Sequence, residues 1–273
     1  MFVIKAKQEY VDQALRMIDN FERDMFDRSG DKRAFKNLQP RLSIARALRE
    51  RVNDPTKIDQ NQGSLCGPAA FFYCVLNTRP HLYVACVIDL YLDGVGRIND
   101  LVIRPGQGCR GYASDSSQIA DVDWIALASL RDSTNSDVAY STPEKEYAGI
   151  TMPHDMVSWF RKAGFLSVRD NTNLVRGKDF DTLLEANTQL LAARFVCLLV
   201  KANIVSFRTY SDRPVFPNHW IVLEAPLNRA EPDNVSFSVY SGGEITDAPP
   251  RGKILSQSDV SKYFYGYVSA GPY

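Results

Sequence analysis

What the chain lacks narrows its class before any motif is read. It has no excess of charge: 32 Lys and Arg stand against 32 Asp and Glu over 273 residues. The basic footprint of a nucleic-acid binder is therefore missing, and no nucleic-acid partner is expected. It also lacks a long apolar run. Leu82–Leu92 is broken by Asp89, and Phe195–Val200 is closed by Arg194 and Lys201, whereas a membrane span needs about 20 clean residues. The opening Met1-Phe-Val-Ile-Lys5-Ala-Lys7 puts its charge after a four-residue apolar patch, the reverse of a secretory signal. Five cysteines, an odd number with no Cys-x-x-Cys pair, do not form a disulfide framework. Three histidines far apart in sequence, His81, His154 and His219, argue against structural zinc. No metal and no cofactor is expected. The expectation is a reduced protein that is cytoplasmic when made, with secretion or injection without a cleaved signal as the alternative.

Charge is unevenly spread. Residues 1–58 carry 22 of their 58 side chains charged. Tyr10, Ala14, Met17, Phe21 and Met25 recur at three- and four-residue steps there, one face of an amphipathic helix. Arg28-Ser-Gly-Asp31 reads as its stop and Leu42–Val52 as a second, basic helix. These residues are expected to form a helical N-terminal extension, 1–58, ahead of a main domain, 59–273. In that domain Asp59–Ser64 is a polar loop and Cys66–Leu76 is apolar all round, the mark of a buried helix. Pro68 falls in its first turn, where a missing N–H is tolerated. Leu82–Leu92 follows, then a glycine-rich, loop-like stretch from Gly94 to Gly111 with a short strand at Leu101–Ile103. Helical patterns return at Val122–Leu130, Met156–Ala163 and Asp181–Ala193.

Strands dominate the last third. Phe195–Val200, His219–Leu223 and Val235–Tyr240 are apolar or alternating, and Tyr263–Val268 adds another. Turn chemistry separates them at Ser211-Asp-Arg-Pro214, Asn228–Asn234 and Gly242-Gly243. Helices first and strands last is the order of an α+β fold, with helices packed on a C-terminal antiparallel sheet.

The residues with most chemical content are Gln60-Asn-Gln-Gly-Ser-Leu-Cys66-Gly67-Pro68 and the distant Asn218-His219-Trp-Ile-Val-Leu223. A thiol reacts as its thiolate, which a helix N-terminus and an imidazolium both favour. Cys66 opens the expected buried helix, whose backbone N–H groups could hold an oxyanion, and Gln60 could add a side-chain amide. Gln62, four residues before the thiol, has the less favourable geometry. His219 begins an apolar strand and lies 153 residues beyond Cys66, near the spacing of about 130–150 residues common in papain-type enzymes.

On these residues the chain resembles the papain-like cysteine peptidase superfamily, nearest the bacteriocin-leader peptidases and compact bacterial amidases, over roughly residues 59–245. The resemblance implies a nucleophile at the N-terminus of a central helix. In it Cys66 is the nucleophile, His219 the base and Gln60 the oxyanion donor. It also implies a residue that orients the histidine, usually Asp or Asn, at the end of the next strand. Val239-Tyr240-Ser241-Gly242-Gly243 stands there instead, so Ser241, Tyr240, a backbone carbonyl or Asp233 must serve. The Cys-Gly-Ser-Cys-Trp surround of the plant enzymes is absent.

The implied activity is hydrolysis of an amide bond in a protein, peptide or peptidoglycan, through a thioester. A bacterial effector or toxin would fit, with an immunity or delivery protein as partner. Two alternatives share the constellation: a transglutaminase or deamidase of the same fold, and a catalytically inactive binding module. Plainer readings stand beside each residue. Cys66 could be a small buried hydrophobe, like Cys74, Cys86 and Cys197. Cys109, in its glycine-rich loop, is expected to be exposed, His81 to be a solvated loop residue, and His154 to start a helix. Trp124, Trp159 and Trp220 are expected in the core or a cleft wall. Gly94-Val-Gly-Arg lacks the third glycine of a nucleotide loop.

Overall fold

Eleven consecutive apolar residues give one buried helix, and six short strands give one sheet; these two features organise a computed structural model of the chain. It describes residues 4–23, 33–61, 63–113, 118–135, 139–143, 150–206, 217–229, 231 and 233–273. Met25, Gln62 and the turns Arg28–Asp31 and Ser211–Pro214 lie outside the described residues, as do parts of the Asn228–Asn234 turn. The fold is α+β. It divides into two compact units, one of Lys5–Thr151 with Lys162–Gly164, the other of Met152–Arg161 with Phe165–Tyr273. Among the described residues no helix is long and apolar enough to cross a membrane.

The first unit is helical. Helices α1 (Gln8–Arg23), α2 (Arg41–Asn53), α3 (Cys66–Leu76) and α4 (Pro80–Asp93) precede a small hairpin of β1 (Gly96–Ile98) and β2 (Leu101–Ile103). Every residue of α3 is buried, as expected for a helix without a polar face. Proline opens α4 and left-handed Gly94 closes it. The division into units does not fall at residue 58. The edge of Phe21 in α1 meets Tyr91 of α4 at 5.8 Å, and the Arg33 guanidinium donates to the Tyr91 hydroxyl at 3.1 Å. Helices α1 and α2 thus belong to one unit with the helices that follow them. The hairpin replaces most of the expected loop, its turn made at Asn99 with φ +49°.

A helical run completes this unit: Asp121–Asp123, the π-helical Trp124–Ala128 and Ser129–Thr134. Its three carboxylates fasten surrounding loops. Asp121 accepts from the Gln39 N–H at 2.6 Å. Asp132 accepts from the N–H groups of Gly106 at 2.6 Å and Tyr140 at 2.7 Å. Asp123 is buried entirely and receives Arg51.

The second unit is a six-stranded antiparallel sheet in the order β3-β8-β4-β5-β6-β7. The strands are β3 (Leu166–Thr172), β4 (Phe195–Val200), β5 (His219–Leu223), β6 (Phe237–Ser241), β7 (Glu244–Ala248) and β8 (Phe264–Gly271). Helix α5 (Pro153–Lys162) precedes β3, and α6 (Phe180–Leu191) lies against the sheet. Leu183, Ala186 and Leu190 of α6 pack with Val196, Leu198, Ile221, Leu223, Phe237 and Val239. Those strand residues alternate, as a two-residue period requires. Asp179 caps α6, its carboxylate accepting from the Thr182 N–H at 3.0 Å. The two edge strands, β3 and β7, were not expected. Both carry mostly polar, half-exposed residues, so neither has the apolar pattern that marks a buried strand.

Candidate active site

Cys66 is the first residue of α3 and is 9% exposed. The helix begins after Leu65 with no side chain capping it, and the first bond of the turn runs from the Ala69 N–H to the Leu65 carbonyl at 2.9 Å. Backbone N–H groups at the start of a helix have no partner within it, and those of Cys66 and Gly67 stand at this start. Gly67 is required by a close approach. A Cβ on it would lie 2.3 Å from the Thr151 hydroxyl and 2.4 Å from its Cβ, and Thr151 is itself buried. All five cysteines are thiols rather than disulfides. Burial pushes the Cys86 and Cys109 thiols well up, away from reactivity.

The approach to Cys66 is tightly turned. The Gln60 carbonyl accepts from the Gly63 N–H at 2.9 Å, Asn61 has φ +46°, and its N–H donates to Asp59 at 2.7 Å. Gln60 is half-buried, and its Oε1 is enclosed without a hydrogen-bond partner among the described residues. A Cβ on Gly63 would stand 3.2 Å from the Tyr140 hydroxyl. Gln60 and Cys66 thus occupy one loop-to-helix segment of one unit.

Behind this loop lies a feature the sequence did not suggest. Arg51 grips Asp123 with both arms of its guanidinium, Nε to Oδ1 at 2.9 Å and Nη2 to Oδ2 at 2.6 Å. The Asp59 N–H also donates to Asp123 Oδ2, at 3.3 Å. Burial raises the Asp123 carboxyl, while the guanidinium and both sets of hydrogen bonds oppose that. The bidentate geometry is that of an ionised pair, and despite its own burial Arg51 is held firmly protonated by the carboxylate. Partners 72 residues apart leave no local pattern to read.

His219 is the first residue of β5 and pairs with Val200 of β4. The Asn218 side chain, one residue earlier, accepts from the Ala202 N–H at 3.0 Å and fixes the strand entry. His219 Nε2 and Ser241 Oγ are 2.8 Å apart. The register explains the meeting: β5 and β6 pair Val222 with Tyr240 and Leu223 with Val239, so His219 and Ser241 project from one face. Tyr240 points to the other face, and Asp233 is exposed. Ser241 closes the β6–β7 hairpin against Glu244 through Gly242 and Gly243, with φ +56° and +87°. Two such residues in succession are what a tight hairpin turn demands. Desolvation lowers the His219 pKa to about 4, so the ring is neutral near pH 7.

Three other expectations resolve as follows. Cys109 is buried rather than exposed, because Gln107–Arg110 forms a helical turn whose Cys109 carbonyl accepts the Trp124 indole N–H at 3.0 Å. His81 sits in the first turn of α4, not in a solvated loop, with its ring 4.7 Å from that of Tyr10. His154 is in the first turn of α5 and exposed, 3.4 Å from Asp155. All three tryptophans are buried. Among the described residues no group of His, Cys, Asp and Glu is arranged as metal ligands.

No protein-family model, curated protein or solved structure matches the chain. The papain-like resemblance therefore rests on the chain's own residues. Cys66 and Gln60 belong to the helical unit, His219 and Ser241 to the sheet unit. The first pair holds a thiol and amide N–H groups; the second holds a neutral imidazole beside a hydroxyl.

Proposed function

We propose that the chain is a papain-like cysteine hydrolase that cleaves an amide bond. Cys66 Sγ attacks the substrate carbonyl carbon while His219 Nδ1 takes the thiol proton. The oxyanion is held by the Cys66 backbone N–H and the Gln60 amide. Collapse of the tetrahedral adduct breaks the C–N bond, and the imidazolium returns its proton to the departing amine. Water, deprotonated by His219, then hydrolyses the thioester. Throughout, Nε2–H donates to Ser241 Oγ, which leaves Nδ1 for the proton transfers.

The observation that carries this reading is the 2.8 Å contact between His219 Nε2 and Ser241 Oγ. It supplies an orienting partner at the strand end where the resemblance requires one. The substrate class is a protein, peptide or peptidoglycan amide. Iodoacetamide near neutral pH tests the nucleophile. Selective alkylation of Cys66 over Cys74, Cys86, Cys109 and Cys197, with loss of hydrolysis in Cys66→Ala, is expected; labelling spread evenly over the five would refute it. A binding module of the same fold is the second reading, favoured by Ser241 in a place where Asp or Asn is usual. Unlabelled Cys66 in a folded protein would support it.

A further inference from the structure

Two supports of the Gln60 loop come from consecutive residues, Asp123 and Trp124, where the helical run turns from α to π. Asp123 accepts the N–H of Asp59, the residue before Gln60, and is fixed in turn by the two-armed grip of Arg51. Trp124 stacks on Tyr140 at 5.7 Å, and the Tyr140 hydroxyl fills the space beside Gly63. Tyr112 backs the same indole at 4.0 Å, and the Trp124 indole N–H donates to the Cys109 carbonyl at 3.0 Å. One end of the Gln60–Gly63 turn is thus held by a carboxylate and the other by an aromatic wall. π-Helical turns are rare and concentrate at functional sites, and here the irregular turn directs both supports at one loop. A buried, fully charged pair is a costly way to anchor a loop by one amide if only packing were needed.

We propose that Asp123, held by Arg51, is a positioning residue that sets the Gln60 amide for oxyanion binding. The inference rests on the hydrolase reading. It assigns Asp123 no contact with substrate; its effect passes through the Asp59 N–H to Gln60.

The test compares two reagents on Cys66 of the full chain. p-Nitrophenyl acetate acetylates the thiol through an oxyanion, forming the S–C bond and releasing p-nitrophenolate. Iodoacetamide alkylates it by direct displacement of iodide, with no oxyanion. Gln60→Ala is expected to slow acetylation by about 10²-fold, the effect of removing one oxyanion donor, while alkylation keeps its rate. Asp123→Asn should reproduce most of that loss with the same selectivity. Gln60→Ala combined with Asp123→Asn should be no slower than Gln60→Ala alone. If Asp123→Asn does not fold, Arg51→Lys, which keeps the charge but loses the fork, carries the same comparison. Equal slowing of both reagents by the Asp123 or Arg51 variant would reduce the pair to a structural role and overturn the proposal. So would undiminished acetylation alongside a Gln60→Ala defect. If Cys66 of the unaltered chain reacts with neither reagent, the hydrolase reading itself falls, and this inference with it.

Discussion

The two units handle buried polarity in opposite ways. The helical unit encloses a full charge pair, Arg51 with Asp123, and ties loops to carboxylates along one helical run. The core that α6 forms with the sheet is apolar apart from the buried Ser269, whose hydroxyl donates to Gln189 of α6 at 3.4 Å, and further polarity enters at strand ends, where His219 meets Ser241. A sheet satisfies its strands through its own ladder, and neutral amides such as Asn187 and Asn218 anchor its loops, accepting from the Leu227 and Ala202 N–H groups. Helices satisfy only themselves, and the long connections between them must find partners elsewhere. The contrast teaches where each unit can be damaged: the first through single charges, the second through protonation and register.

The largest expected effect breaks the first half of that comparison. Arg51→Met leaves the Asp123 carboxylate buried without its partner and should cost about 3–5 kcal/mol in urea denaturation. Joint replacement of Arg51 by Met and Asp123 by Leu should recover most of the loss. A single variant with unchanged stability would mean that the pair is not buried as described. Next is the pH response of the sheet unit. Because the folded His219 pKa lies near 4 rather than 6.5, the unfolded chain binds the proton more readily between those values. The His219 contribution is therefore fully present above pH 6.5 and lost as pH falls toward 4, by up to about 3 kcal/mol at the usual conversion. His219→Gln should flatten the denaturation midpoint across that window; an identical slope would refute the assignment.

Smaller effects sharpen the comparison. Gly67→Ala drives a methyl into Thr151 and should destabilise by about 1–3 kcal/mol, and Thr151→Ser in the same chain should relieve part of it, both read from thermal midpoints. Asp179→Ala removes the α6 cap from the sheet unit and should cost about 1 kcal/mol. Its hydrogen-exchange signature should be confined to the first turn of α6.

The elements easiest to read from sequence were those whose burial is uniform or strictly alternating. Cys66–Leu76 and His219–Leu223 have in the structure the bounds their apolar runs suggest. Edge strands escaped because only one of their sides meets the core: Ser167-Val-Arg-Asp-Asn-Thr172 has no apolar period to detect. Cys109 was misjudged because glycine-rich composition signals a turn but not which side chain the turn points inward. Of the candidate site, Ser241 was legible only as one of four candidate partners of His219; the pairing of β5 with β6, which joins distant segments, decides among them. The Arg51–Asp123 support was not. Its members lie on different helices, 72 residues apart, so no local pattern joins them.

The π-helical stretch Trp124–Ala128 has a consequence for sequence length rather than composition. Such a stretch amounts to a helix carrying one surplus residue. Removing Ala126 or Leu127 would restore regular winding at the cost of one buried apolar side chain. Because the wider turn already takes up its extra residue within about one revolution, the residues beyond would keep nearly their present phase. Asp132 would still reach the Gly106 and Tyr140 amides, and Asp123 that of Asp59. The stretch is thus slack in chain length that the helix absorbs locally, without turning its two ends against each other.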